Sequence, residues 1–229
     1  MNQWLKDIIN LIYPAQCHIC GTTLSPHEEL ICNPCIDSLP RTGFHRTSDN
    51  PMEERFAGHF PFEAATGHFF YSKDSSLSQL IQDMKYRGFY SIGNKLGKIA
   101  ATELFSTGFL NDIEIIVPLP MHFWKKAKRG YNQTDKIAEG IASEINVSVV
   151  DALKMTRRRK TQTSLSQTER LSNVHDLFKP RKGIDLNHKT VLLVDDICTT
   201  GATIGAAAKA LTDAFPNIKL YLFTLGVTF

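Results

Sequence analysis

Two kinds of hydrophobic pattern alternate along this chain. Ile113–Val117 and Val191–Val194 are short, unbroken apolar runs, the pattern of strands buried on both faces. Phe62–Tyr71 alternates and is aromatic, which predicts a strand or hairpin, and Val147–Val150 and Ile218–Leu225 read as further strands. Between them the period changes. Leu77, Leu80, Ile81 and Met84 share one helix face, which ends at Lys85-Tyr86-Arg87-Gly88, basic residues followed by a terminating glycine. Ile92–Phe105 predicts a second helix; Ile137, Ile141 and Ile145 predict a third; Thr203–Phe215 predicts a fourth. Strands alternating with helices point to an α/β fold with a parallel sheet. Before it, the stretch from Pro40 to Pro61 is polar and broken by Gly43, Pro51 and Gly58. The expected organisation is an N-terminal helix and cysteine module over 1–40, a linker over 41–60, and an α/β domain over 61–229.

The chemistry concentrates after the run at Val191. Asp195 and Asp196 follow where that strand should end, then Ile197-Cys198-Thr199-Thr200-Gly201-Ala202-Thr203, then a helical pattern. Strand, polar turn and helix make an anion site, because the first helical N–H groups lack internal partners and the helix dipole favours negative charge there. Gly201 lets the backbone approach a ligand, and Thr199, Thr200 and Thr203 offer hydroxyl donors. Two adjacent carboxylates would repel a bare polyphosphate. They suit a ligand carrying both a phosphate and sugar hydroxyls, with a divalent metal as a further mediator. The glycines do not fit a Walker loop or a dinucleotide fingerprint. The stretch resembles the phosphoribosyl-pyrophosphate motif of type I phosphoribosyltransferases, in which the paired acids contact the ribose hydroxyls and the loop holds the 5′-phosphate.

Charge is distributed unevenly. The net charge is +3, but Met121–Lys182 holds 14 Lys+Arg against 6 Asp+Glu, a net +8. This is a candidate footprint for polyphosphate or nucleic acid. At its start, the turn Pro118-Leu119-Pro120-Met121-His122 after the Ile113–Val117 strand, followed by Lys125, Lys126, Lys128 and Arg129, forms a second strand–loop–helix crossover. In a parallel sheet both loops open beyond the carboxyl ends of the strands, onto one cleft. Its last part, Arg157-Arg158-Arg159-Lys160 and the Gln- and Thr-rich residues after it, reads as a polar lid.

Cys17-x2-Cys20 and Cys32-x2-Cys35 have the spacing of a tetrahedral zinc site. Four thiolates leave no position for water, so the zinc is expected to be structural. Disulfides or redox chemistry are the alternative, although nothing suggests export to an oxidising compartment. Met1–Tyr13 lacks the basic start and cleavage site of a signal peptide and reads as a short amphipathic helix, with a membrane-surface role as the lesser reading. No apolar run is long enough to span a bilayer.

Taken in order, the cysteine knuckle, Lys-Tyr-Arg-Gly, Val-Pro-Leu-Pro-Met-His, Arg-Gly-Tyr-Asn-Gln, the Arg-rich stretch with Gln-Thr-x-Leu-Ser-x-x-Glu-Arg, and the final acidic motif resemble the ComF family of competence proteins. The resemblance implies a type I phosphoribosyltransferase fold with an N-terminal zinc knuckle in a bacterial cytoplasmic protein. It also implies Mg2+-dependent binding of phosphoribosyl pyrophosphate and handling of single-stranded DNA, with competence-machinery proteins as further partners. On that basis Asp195 and Asp196 would hold the ribose and stabilise positive charge on the sugar. Residues Cys198, Thr199, Thr200, Gly201, Ala202 and Thr203 would bind the 5′-phosphate. The Pro118–His122 turn would bind the magnesium pyrophosphate, and Lys128, Arg129, Arg157 and Arg159 would neutralise it. Lys125, Lys126, Arg158 and Lys160 would contact DNA, with Phe123, Trp124 or Tyr131 stacking on bases. No general base or glutamine-hydrolysing nucleophile stands out. The competing function is a nucleotide-metabolism phosphoribosyltransferase, of purine or pyrimidine salvage or amidophosphoribosyltransferase type, without a DNA role.

Overall fold

The longest apolar run lies at the centre of the sheet. In a computed structural model, which describes residues 14–156 and 177–229, Thr190–Cys198 forms a strand with eight of its nine residues buried. The strands in chain order are β1 (Ala64–Phe70), β2 (Ile115–Pro118), β3 (Ser148–Val149), β4 (Leu153–Met155), β5 (Phe178–Pro180), β6 (Thr190–Cys198) and β7 (Lys219–Val227). Five of them make one parallel sheet in the order β1-β7-β6-β2-β3. The short β4 and β5 pair antiparallel in a separate two-stranded sheet.

Side chains alternate across β6, so each face of the sheet feeds its own core. Leu192 and Val194 point into one core, with Ile116, Phe223 and Leu225. Val191 and Leu193 point into the other, with Val117, Leu220 and Leu222. The first core is covered by α3 (Ser76–Tyr86), α4 (Ser91–Phe105) and α6 (Gln133–Ile145). The second is covered by α2 (Pro51–Phe56) and α7 (Ala202–Ala214). Two short helices complete the set, α1 (Asn33–Asp37) in the knuckle and α5 (Phe123–Arg129) after β2. Helices α4 and α6 cross at backbone contact. A Cβ on Gly140 would lie 2.2 Å from the Asn94 carbonyl oxygen, and one on Gly97 would lie 2.3 Å from that of Ile137.

Several elements differ from the pattern reading. Phe62–Tyr71 supplies one strand, β1, and its partner is β7 from the far end of the chain, so no hairpin forms. The stretch 41–60, expected as a linker, holds a 3-10 turn at Phe44–Arg46 and the helix α2. Asn50 starts α2 with a capping box, accepting from Met52 N and Glu53 N, and Met52 and Phe56 are buried. The basic run after His122 is helical, not a loop. Its N-cap is His122, whose Nδ1 accepts from Trp124 N. The reading of Met1–Tyr13 as a helix, the polar lid around Gln162, and the basic run Arg157, Arg158, Arg159 and Lys160 lie outside the described residues.

Among the described residues no helix is long and apolar enough to cross a membrane.

Candidate functional site

The paired acids do not follow the end of their strand; they belong to it. β6 runs on through Cys198, and Asp195 and Asp196 are only 8% and 7% exposed. Leucine and valine cannot compensate two buried charges, so the site is built from polar side chains brought in by other elements. The Lys85 ammonium, at the end of α3, forms an ion pair with Asp196 Oδ2. Gln133 Nε2, in the first turn of α6, donates to the same oxygen at 3.0 Å. Asp195 Oδ1 accepts from the Asp196 N–H at 2.8 Å. Burial, and then the charge of Asp196, pushes the Asp195 carboxyl well above the ordinary range.

Gln133 also connects the acids to the basic crossover. Its Oε1 accepts from Arg129 Nη1 at 2.7 Å, and the Arg129 guanidinium lies over the Tyr86 ring at 5.2 Å. The chain of contacts from Arg129 through Gln133 to Asp196 and Lys85 links the acid pair to the basic helix α5. Tyr131 donates its hydroxyl to the Met84 carbonyl, next to Lys85, and so ties the end of α3 to the start of α6. Lys85, Gln133 and Tyr131 were not among the expected ribose or phosphate residues. All three lie in the quoted motifs Lys-Tyr-Arg-Gly and Arg-Gly-Tyr-Asn-Gln, but spacing along the chain cannot show that these motifs meet Asp196.

Beyond β6 the turn is short. Thr199, Thr200, Ala202 and Thr203 are exposed, and Gly201 caps α7 from the left-handed region at φ 78°. A Cβ there would also stand 2.8 Å from the Phe56 ring. Gly201 offers no side-chain cap to α7; the Ala202 N–H donates to Thr200 Oγ1 at 3.4 Å, and the N–H groups after it are available to an anion. Arg55 of α2 braces the turn from behind. It donates to the Thr199 carbonyl at 2.7 Å and the Thr228 carbonyl at 2.8 Å. Cys198 is buried, and its Sγ accepts from Arg55 Nη1 at 3.2 Å. Burial pushes its thiol up.

The other expected residues fall in three places. Pro118 ends β2 and is buried with Leu119, whose carbonyl accepts from Asn132 Nδ2 and Thr134 Oγ1, while Pro120, Met121 and His122 are half-buried. Lys125, Lys126 and Lys128 are exposed on α5, beside Phe123 and Trp124, each 72% exposed. The four cysteines lie apart from this cleft, on the outer side of α3.

Their sulfurs lie within 4.8 Å of one another, and Cys20 and Cys32 are 3.7 Å apart. A tetrahedral four-thiolate zinc site, with Zn–S near 2.3 Å, needs sulfurs about 3.8 Å apart. The backbone prepares for negative sulfur: Ile19 N and Cys32 N each donate to Cys17 Sγ at 3.4 Å. The Thr22 hydroxyl lowers the Cys20 thiol to about 6, whereas burial and the neighbouring sulfurs push Cys35 up. Four crowded thiols that cannot all ionise alone are a set that a cation would complete, and the donors fit a metal. The knuckle is fastened to α3. His18 Nδ1 lies 3.0 Å from Asp83 Oδ2, Gln79 Nε2 donates to the His18 carbonyl, and Cys17 and Cys32 join the core beneath.

Residues 136–224 match the phosphoribosyl transferase domain family. With the parallel sheet, this gives the chain the α/β phosphoribosyltransferase fold, with four clustered cysteines at its N-terminus. Among curated proteins, competence protein F of Haemophilus influenzae is 29% identical over 140 residues, 59% of this chain and 61% of that protein. Competence protein ComFC of Bacillus subtilis is 25% identical over 157 residues, 68% of this chain and 61% of that protein. The DNA utilization protein YhgH of Escherichia coli is 26% identical over 139 residues, 59% of this chain and 60% of that protein. The matched stretches thus span about three-fifths of each relative. Among solved structures, an allosteric regulatory enzyme of purine biosynthesis aligns at TM-score 0.41 and 20% identity, covering 58% of this chain and 25% of that one. An adenine phosphoribosyltransferase aligns at TM-score 0.38 and 18% identity, covering 64% and 74%.

Proposed function

We propose that this chain, which carries a phosphoribosyl transferase domain and is related to competence proteins F and ComFC, binds phosphoribosyl pyrophosphate at the carboxyl edge of its sheet and handles single-stranded DNA in a cytoplasmic competence role. The observation that carries the reading is the network Arg129–Gln133–Asp196–Lys85 beside the open start of α7. It sets acids for sugar hydroxyls next to donors for a phosphate, with cations on the far side. Thr199 to Thr203 take the 5′-phosphate, Asp195 and Asp196 take the ribose, and the Pro118–His122 turn with Lys128 and Arg129 takes the pyrophosphate. Mg2+, bound with the ligand, would supply charge neutralisation at the pyrophosphate oxygens. If transfer occurs, the buried acids stabilise positive charge on the sugar as the pyrophosphate departs, the kind of preorganised electrostatic help that usually contributes most to catalysis. The metal in the knuckle is read as structural zinc, which suits a reducing compartment and four free thiols. The DNA reading is supported by the exposed cations and aromatics of α5 and by the names of the relatives.

The test is calorimetric titration of phosphoribosyl pyrophosphate with Mg2+, with and without a single-stranded oligonucleotide, while pyrophosphate release is followed. Binding is expected, and Asp196→Asn should weaken it at least tenfold. An unchanged affinity in that variant refutes the site. Binding with release that requires an added acceptor, and no response to DNA, supports the nucleotide-metabolism reading instead.

A further inference from the structure

The segment 41–60 reaches the turn after β6 through one side chain. Helix α2 is tied to the sheet at its start: Asn50 Nδ2 donates to the Ala65 carbonyl at 3.0 Å, and Glu53 Oε1 accepts from the Ala65 N–H at 3.1 Å. Met52 and Phe56 bury its inner face. The helix is therefore a fixed platform, and Arg55 extends from it to the turn. The fit is close, since a Cβ on Gly201 would stand 3.0 Å from Arg55 Cδ.

The Arg55 fork bridges two strand ends. Nη1 donates to the Thr199 carbonyl and to Cys198 Sγ, just beyond and at the end of β6, while Nη2 donates to the Thr228 carbonyl, just beyond β7. The same two strand ends are joined directly, because the Thr228 N–H donates to the Cys198 carbonyl at 3.0 Å. These contacts fix a peptide direction. In a planar trans peptide the carbonyl and the N–H point opposite ways, and the described residues contain no cis bond. The Thr199 carbonyl points at Arg55, so the Thr200 N–H of the same peptide points away from it. Thr200 is exposed, and among the described residues no acceptor meets that N–H.

We propose that Arg55 is a positioning residue for the turn: from behind, it holds the Thr199 peptide so that the Thr200 N–H is presented to an anion together with the start of α7. The inference rests on the reading of Thr199 to Thr203 as the 5′-phosphate site. The guanidinium acts without touching the phosphate, since its fork is engaged by the Thr199 and Thr228 carbonyls. A turn held in place before the ligand arrives avoids the ordering cost at binding. Lysine cannot substitute, because a point charge on a flexible stem does not span two carbonyls as a planar fork does.

The test is calorimetry on the whole protein with two probes, ribose 5-phosphate for the turn and magnesium pyrophosphate for the Pro118–His122 side. Arg55→Met should weaken ribose 5-phosphate about tenfold, the effect of about one lost hydrogen bond, and leave magnesium pyrophosphate unchanged. Arg55→Lys keeps the charge and loses the fork, so most of the loss should remain. Equal loss of both probes would make Arg55 a general support of the fold, and full recovery in Arg55→Lys would make it a charge alone; either overturns the proposal. Ribose 5-phosphate affinity unchanged in Arg55→Met overturns it too, while the reading of the turn stands. A wild-type protein that does not bind ribose 5-phosphate overturns that reading, and this inference with it.

Discussion

The Lys85 ammonium rests against Asp196 where two carboxylates share a nearly dry strand end. Its charge lowers the electrostatic cost of Asp195, whose carboxyl is raised first by burial and then by Asp196. Lys85→Met should therefore destabilise the fold by about 1–3 kcal/mol, the penalty for stripping a buried charged acceptor of a partner. The sign of the pH dependence follows. A carboxyl whose folded pKa is above its unfolded value opposes folding as pH rises, and the variant raises Asp195 further. The deficit should be larger at pH 8 than at pH 5.5 in urea melts; an equal deficit at both would show that Lys85 acts only by packing. This pairing also marks the limit of what the sequence makes legible at this scale. Asp195 and Asp196 are visible because an apolar run, two acids and a hydroxyl-rich turn are contiguous. Lys85, Gln133 and Arg55 are not, because each reaches the site from a different element, and no local spacing records which helix end faces which strand. Lys85 read simply as a cation near a helix C-terminus is a complete local explanation, and it conceals the partner.

Periodic elements were easier to read than short ones. The strands at β2, β6 and β7 and the helices α3, α4, α6 and α7 follow from apolar spacing, because packing against a sheet imposes that spacing. Helix α2 has only two buried apolar residues, Met52 and Phe56, too few to make a period. Its signal was chemical instead: Asn50-Pro51-Met52-Glu53 places a capping asparagine, a first-turn proline and the capping-box glutamate in sequence. β1 was visible, but its parallel partner at the far end of the chain was not. The crossing of α4 and α6 yields a test of packing. Gly140→Ala puts a methyl 2.2 Å from the Asn94 carbonyl, against backbone that cannot rotate away. A loss of about 1–3 kcal/mol is expected, and an unchanged melting temperature would mean the helices separate freely. The knuckle gives a second test. Asp83 on α3 meets His18 from the knuckle, and Lys85 lies two residues further along the same helix. Removing the metal with a chelator should thus lower the affinity for phosphoribosyl pyrophosphate as well as the melting temperature. Affinity that survives chelation in a partly unfolded protein would show that the knuckle and the acid pair are independent.

At the scale of the whole molecule, charge and exposed aromatic side chains meet on helix α5. The net charge of +3 conceals a basic middle, and four of its cations, Lys125, Lys126, Lys128 and Arg129, lie on α5. Here Phe123 and Trp124 are each 72% exposed, in edge contact with one another at 5.6 Å, beside Lys125, Lys126 and Lys128. Tyr86, 75% exposed, continues the surface under Arg129. Helix α5 buries none of its residues, so core packing does not account for two large aromatic side chains there. Stacking on unpaired bases does, since each base offers a π-face and each stacked base contributes about 1–3 kcal/mol. A single-stranded oligonucleotide should quench tryptophan fluorescence, and Trp124→Ala should weaken binding by about tenfold to a hundredfold within that range. Salt provides the independent check. If about three lysines meet phosphates, the logarithm of affinity falls with that of salt at a slope of about −2. Affinity should then drop between tenfold and twentyfold from 50 to 200 mM salt, by the same relation. A flat salt response with unchanged Trp124→Ala binding would separate this surface from DNA and leave the cleft as a small-molecule site alone. A steep salt response with unchanged Trp124→Ala binding would place the contact on the lysines and remove the aromatics from it. Only the combined loss assigns both the charge and the stacking to α5.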